Sequence, residues 1–125
     1  MTGGLMLRAF LVLLAASPAL AGATVHGIDV VPASDRIDVV VRASEPLTFQ
    51  SWAKATPPVL VVDLLDTAAD PRTLTPGGVI ESVDVTRHDT KDSQLSRVAL
   101  KLKSSMEYDV TAHGNDITIS LFPNG

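Results

Sequence analysis

Apolar and polar residues alternate along much of the chain. The clearest case is the series Val98, Leu100 and Leu102, whose members are separated by small or charged residues, and the run Asp116–Leu121 has the same alternation. Alternation with a period of two places every second side chain on one face of a β-strand. The 3.6-residue period of a helix is almost absent after Gly22. The pattern predicts an all-β domain built from antiparallel sheets, each with one buried and one solvated face.

Clusters of Gly, Pro, Ser, Asn and Asp separate eight such runs. We therefore predict strands at Val25–Val31, Arg36–Ala43, Leu47–Ala53, Val59–Leu64, Val79–Arg87, Leu95–Lys103, Glu107–Ala112 and Asp116–Leu121. Many short strands with turns between them are typical of a β-sandwich or barrel. The inward positions predict a core that contains Phe49, Leu60, Val62, Leu100, Ile117 and Ile119.

The second half of the chain repeats the pattern of the first, so that Val25–Leu64 matches Val79–Leu121. Matched positions include Ile28-Asp29-Val30 with Val83-Asp84-Val85, Val39, Val41 and Ala43 with Val98, Leu100 and Leu102, Leu47 and Phe49 with Met106 and Tyr108, and Leu60, Val62 and Leu64 with Ile117, Ile119 and Leu121. We predict a sandwich of two similar four-stranded sheets that face each other, with an internal duplication. Chance similarity between β-rich halves is the open alternative.

The first 21 residues have the pattern of a secretory signal peptide. Arg8 is followed by the apolar run Ala9–Ala16, and Ser17-Pro18 precedes the small-residue motif Ala19-Leu20-Ala21. We predict cleavage after Ala21, which leaves residues 22–125 as one mature domain in an exported compartment. A buried N-terminal helix is disfavoured because the segment has no polar face. No later apolar run approaches the length of about 18 residues that a membrane span requires, so no span is expected in the mature chain.

Composition and motifs exclude several function classes. The net charge of −4 argues against nucleic-acid binding, which requires a basic face. The absence of Cys excludes disulfides, cysteine nucleophiles and cysteine-ligated metals. The histidines, His26, His88 and His113, lack ligand spacing, and no nucleophile elbow, phosphate loop or dinucleotide motif is present. We expect a protein without catalytic activity, cofactor or metal.

Several segments resemble the AMIN domain, the N-terminal module of exported N-acetylmuramoyl-L-alanine amidases and of type IV pilus secretins. The most specific of them is the run Pro-Pro-x-Leu-Val-Val-Asp-Leu at Pro57–Leu64. The others are Gly27–Val31, Asp35–Val41, Pro46–Phe49, Gly78–Ile80 and Ser96–Leu100. The resemblance covers nearly the whole mature chain and is closer to the secretin-attached members. It implies two symmetric four-stranded sheets and a non-catalytic module that holds its host protein at peptidoglycan. The family usually has Arg at the position of Val59, so this chain departs from the pattern there.

Peptidoglycan presents carboxylates, sugar hydroxyls and acetamido groups, so a binder needs cations and polar or aromatic side chains. Arg42 and Lys101 lie at matching outward positions of the two halves, and Arg97 is a further outward cation. We take these residues as candidate ligand contacts. The alternative is a solvated strand face with weak cross-strand ion pairs.

Two more outward residues are candidates for contacts with peptidoglycan. Asp63 closes an apolar strand; it either accepts turn N–H groups, contacts the ligand or pairs with Arg36. Trp52 either stacks on a sugar ring or covers the edge of the sandwich.

Two function classes remain. The first is a periplasmic peptidoglycan-binding and targeting module, linked to a pilus secretin or to a cell-wall amidase. The second is a protein–protein adaptor of an envelope assembly that adds a strand at an open sheet edge. The sequence fits a stand-alone protein and an N-terminal piece of a larger one equally well.

Overall fold

The structure, a computed structural model, describes residues 22–124, and all of its regular elements are β-strands. The predicted signal peptide lies outside the described residues. The strands are β1 (Ala23–Pro32), β2 (Ile37–Ala43), β3 (Thr48–Ala55), β4 (Pro58–Leu65), β5 (Thr67–Ala68), β6 (Arg72–Leu74), β7 (Ile80–Arg87), β8 (Leu95–Leu102), β9 (Glu107–His113) and β10 (Asp116–Phe122). All eight predicted strands are confirmed to within two residues, and β5 and β6 are additional.

The strands form two five-stranded sheets. Sheet A has the order β9-β10-β2-β1-β5, and sheet B has the order β3-β4-β8-β7-β6. Each sheet therefore takes one hairpin from the first half of the chain and one from the second. The prediction of four-stranded sheets was wrong in strand number, because a short strand extends each sheet. The expectation that each half forms its own sheet was also wrong, because the chain crosses to the other sheet after the first hairpin of each half.

The pairing of the strands nevertheless follows the predicted match between the halves. In sheet B, Leu60 pairs with Leu100, and in sheet A the matching residues Ile117 and Val41 pair with each other. Ser96 in sheet B and Ile37 in sheet A occupy matching places in the same way, opposite Leu64 and Leu121. The register shift between Val25 and Gly27 in β1 also has its counterpart between Ile80 and Ser82 in β7. The two sheets thus share strand order, register and bulge.

The core lies between the inner faces of the two sheets. Five of the six predicted core residues are at most 1% exposed: Leu60, Val62, Leu100, Ile117 and Ile119. Phe49 is only partly buried and packs at the periphery of the core, because β3 is an edge strand. β4 is buried on both faces over Leu60–Leu64, which makes its one charged residue, Asp63, the polar residue most in need of a partner. No helix within residues 22–124 is long and apolar enough to cross a membrane.

Candidate functional site

A two-pronged ion pair on the outer face of sheet B joins Asp63 of β4 to Arg97 of β8. The two residues are direct cross-strand partners. Arg97 Nε donates to Asp63 Oδ1 over 2.8 Å, and Arg97 Nη2 donates to Asp63 Oδ2 over 3.2 Å. Asp63 is only 6% exposed, whereas about a third of the Arg97 side chain is open to water. The pair therefore satisfies a buried carboxylate and leaves the remaining guanidinium N–H groups facing outward.

The expectation that Asp63 closes its strand is wrong, because β4 continues to Leu65. The partner of Asp63 is Arg97, not Arg36, which bonds Asp35 and Asp38 instead. The bond to Asp63 is the main cause that raises the pKa of Arg97 above its ordinary value. The guanidinium accordingly stays charged wherever the domain is folded.

Trp52 of β3 lies beside this ion pair, with Arg97 Cζ at 5.2 Å from the centroid of its ring. A guanidinium at this distance is held by the negative face of the indole. Trp52 remains 39% exposed, and its cross-strand partner Val61 is only 7% exposed although it lies on the outer face. The structure therefore brings three of the five predicted site residues, Asp63, Arg97 and Trp52, into one constellation, the indole–guanidinium site.

Lys101 is on the same outer face, because it lies four residues after Arg97 along β8 and every second residue of a strand shares a face. Its Nζ lies 3.5 Å from Asp84 Oδ2, and its side chain is 56% exposed. Thr73 and Ser82 also donate to Asp84. Lys101 is the direct cross-strand partner of Val59, so a cation lies on the strand next to the position at which the AMIN pattern leads us to expect an arginine.

Arg42 occupies the matching position in sheet A, on the opposite side of the molecule from Lys101. Its Nε donates to Asp29 Oδ2 over 2.6 Å, and its Nη1 donates to Asp116 Oδ2 over 3.2 Å. The bond to Asp29 is the main cause that raises the pKa of Arg42. Arg42 and Lys101 thus match in register, as predicted, but they do not share a surface, and two carboxylates already neutralise Arg42.

The indole–guanidinium site has no counterpart in sheet A. The positions of Asp63 and Arg97 are taken there by Ser120 and Asp38, and Ser120 Oγ donates to Asp38 Oδ1 over 2.7 Å. Thr111 stands at the position of Trp52 and is hydrogen-bonded to His113. A hydroxyl, a carboxylate and a threonine thus replace the carboxylate, the guanidinium and the indole.

The outer faces consequently differ in charge. The outward positions of sheet A carry two arginines, Arg36 and Arg42, against the carboxylates of Asp29, Asp38, Glu107, Asp109 and Asp116. Those of sheet B carry Lys54, Arg97 and Lys101 against Asp63 and Asp84, and Glu81 is exposed at the bulge of β7. The outer face of sheet B is therefore less acidic than that of sheet A, and an anionic ligand meets less repulsion there.

Sequence reasoning missed the partners that fix these side chains: Asp84 for Lys101, and Asp29 with Asp116 for Arg42. A signal for one member of the central pair was present, because Asp63 is the lone charge in its apolar strand, whereas Arg97 shares its strand with Lys101. Among the described residues, 22–124, no cluster of three or more His, Asp or Glu side chains is placed to hold a metal ion.

Comparison with family models gives one family, the AMIN domain, which matches residues 27–121. The match runs from the first hairpin of sheet A through β10, and so includes both sheets and the indole–guanidinium site. A search of curated proteins returned no match. AMIN domains are non-catalytic modules of exported proteins, known for peptidoglycan binding and targeting. Because the matched segment covers far more than half of the sequence, the chain belongs to the AMIN domain family.

Proposed function

We propose that this chain is an exported peptidoglycan-binding module that contacts the cell wall through the outer face of sheet B. The observation that carries the proposal is the indole–guanidinium site of Trp52, Arg97 and Asp63. The predicted signal peptide of residues 1–21 supports export to the periplasm, with residues 22–125 as the mature domain. A pilus secretin or a cell-wall amidase is the host system that we propose for it.

The site combines the groups that peptidoglycan requires. An exposed indole offers an apolar face for a sugar ring. Arg97 uses two of its five N–H groups on Asp63, so the others are free for a stem-peptide carboxylate or an acetamido oxygen. Asp63 holds the guanidinium in place before the ligand arrives, and this lowers the entropy that is lost on binding.

Lys101 extends the same surface with a second exposed cation. It lies on the same strand as Arg97, four residues further along, which is about 13 Å in a β-strand. That spacing suits a polymer that carries a carboxylate on each of several stem peptides. Lys101 would thus provide the charge that the absent arginine at Val59 provides in other members of the family.

Sheet A is the less suitable face, since its arginines are outnumbered by carboxylates and Arg42 is paired twice. We also infer that the two halves arose by internal duplication, which their shared register and bulge support. The adaptor function considered from the sequence stays a prediction.

Sedimentation with purified sacculi tests the proposal, with Trp52→Ala compared against Thr111→Ala, its counterpart in sheet A. We expect Trp52→Ala to weaken binding about tenfold, which corresponds to about 1.4 kcal/mol, and Thr111→Ala to leave it unchanged. A thermal melt of each variant checks that both are folded. Equal binding by wild type and Trp52→Ala, with both folded, would remove the indole–guanidinium site from the function.

A further inference from the structure

Each sheet has one long edge strand that is unpaired within residues 22–124. These strands are β3 in sheet B and β9 in sheet A, whereas the opposite edges are closed by the short strands β6 and β5. An unpaired edge presents a row of free backbone N–H and C=O groups and is a template for another strand. β3 has eight residues, of which Lys54 is the only charged one, so little protects this edge from pairing.

The two open edges lie on the same side of the sandwich. A cavity of about 180 Å³ is lined in part by Ala53, Lys54 and Ala55 from the end of β3 and by Tyr108 from the start of β9, with Met106 just before it. The end of β3 lies near the start of β9. The two edge strands therefore run in opposite chain directions on the two sides of this opening.

The charges of the two edges are complementary. β3 carries Lys54, and β9 carries Glu107 and Asp109. All three residues are exposed and point to the outer faces, since their neighbours Ala53, Tyr108 and Val110 pair with inward residues of the next strand. No ion pair of Lys54, Glu107 or Asp109 occurs among the described residues.

We propose that the open side of this domain binds a second copy of the same chain, so that β3 of each copy pairs antiparallel with β9 of the other. A two-fold axis parallel to the strands makes both pairings at once, because the two edges border one opening and run in opposite directions. It also brings Lys54 level with Glu107 and Asp109 of the second copy, twice in the dimer.

Pairing of like edges is the competing arrangement for a second copy. An antiparallel β3–β3 contact places Lys54 near Thr48, without a carboxylate on either edge strand to receive it. Opposite charges across a strand pair are favourable, so charge complementarity selects the β3–β9 arrangement. The pairing also covers the mouth of the cavity and the edge on which Tyr108 is 37% exposed.

The outer faces stay open in this dimer. The two-fold axis turns one copy over, so sheet B of one copy and sheet B of the other face opposite sides. The dimer therefore goes beyond the proposed function, and it does not require that sheet B binds peptidoglycan. If sheet B does bind, the dimer is bivalent and its avidity for a polymer rises.

Sedimentation equilibrium of the protein purified after export tests the proposal, from about 1 μM to about 1 mM. We expect a monomer–dimer equilibrium in the wild type. Lys54→Glu should weaken it at least about tenfold, because like charges then face each other in both strand pairs. The double variant Glu107→Lys with Asp109→Lys should weaken it in the same way. Lys91→Glu makes the same charge change in the loop after β7 and should leave the equilibrium unchanged.

An equimolar mixture of the two weakened proteins provides the decisive step. In the mixed dimer one strand pair joins the introduced carboxylate to the introduced amines, and the other retains the native charges. We expect the mixture to form dimers at concentrations at which each variant alone is mostly monomeric. A wild type that is monomeric up to about 1 mM would overturn the proposal. Dimers that tolerate Lys54→Glu as well as they tolerate Lys91→Glu would also overturn it, in favour of pairing between like edges.

Discussion

Sheet A and sheet B share strand order and register, yet their outer faces carry different chemistry. Arg97 in sheet B has Asp38 as its counterpart in sheet A, and Trp52 has Thr111. On their inner faces the counterparts are apolar in both sheets, as with Leu60 and Ile117. The inner faces have similar residues because they pack against each other, and close packing limits which side chains fit. The outer faces can differ because a substitution at an exposed position changes stability by under about 0.5 kcal/mol. A symmetric framework can therefore carry a single binding face.

The largest expected effect concerns the inner faces and tests whether the two sheets are equivalent there. Leu60 is 1% exposed and Ile117 is fully buried, and they occupy matching places. We expect Leu60→Ala and Ile117→Ala each to cost about 3–5 kcal/mol, since each removes several buried methyl and methylene groups. Urea unfolding of both variants measures the loss. Costs that differ by more than about 2 kcal/mol would show that the matched positions are not packed equivalently.

A smaller effect is expected where the outer faces differ. Arg97→Ala leaves the buried Asp63 carboxylate unpaired. We expect a loss of about 2–3 kcal/mol, below the figure for a fully buried pair because the guanidinium is one-third exposed. Asp38→Ala, at the matching place in sheet A, should cost about 1 kcal/mol, since it removes hydrogen bonds to Arg36 and Ser120 that water can replace.

Unfolding midpoints in urea compare these two variants. The comparison holds if the dependence of the unfolding free energy on urea concentration is the same for both variants. If Arg97→Ala were as stable as Asp38→Ala, the Asp63–Arg97 pair would be no more than a surface contact. Sheet B would then lack the rigid centre on which the proposed site is built.

The smallest expected effect concerns ligand electrostatics. Lys101→Ala should weaken binding to sacculi about threefold and reduce its dependence on salt, because one exposed cation contributes a screened, sub-kilocalorie contact. Arg42→Ala changes the matching cation in sheet A and should leave both quantities unchanged. The measurement is the bound fraction over a salt series. If Arg42→Ala reduced the salt dependence and Lys101→Ala left it as in the wild type, the binding face would be assigned to sheet A instead.

The sequence was sufficient to predict the strands but not how they assemble into sheets. Alternation identifies the inward residues of a strand, so Val98, Leu100 and Ile119 were predicted correctly. It does not identify the neighbouring strand, because a hairpin buries the same residues whether it joins the sheet of its own half or the sheet of the other half. The short strands Thr67–Ala68 and Arg72–Leu74 were missed, since two or three residues are too few to show a period.

The candidate site was predictable in its residues but not in its grouping. Strand parity correctly placed Asp63, Arg97 and Trp52 on outer faces. Their proximity depends on the β3–β4 and β4–β8 pairings, and β8 belongs to the other half of the chain. Parity also treated Arg42 and Lys101 as equals, because it does not show that Asp29 and Asp116 flank Arg42. Partners across strands decide which charged residue is available to a ligand.

The most direct test of a single binding face is an NMR titration of the labelled protein with soluble peptidoglycan fragments released by a muramidase. We predict shifts of the Trp52 indole N–H and of backbone amides around Asp63, Arg97 and Lys101, all in sheet B. The matching amides around Arg42 and Ser120 in sheet A should stay in place. Shifts centred on sheet A, or of equal size in both sheets, would contradict the assignment of peptidoglycan binding to sheet B.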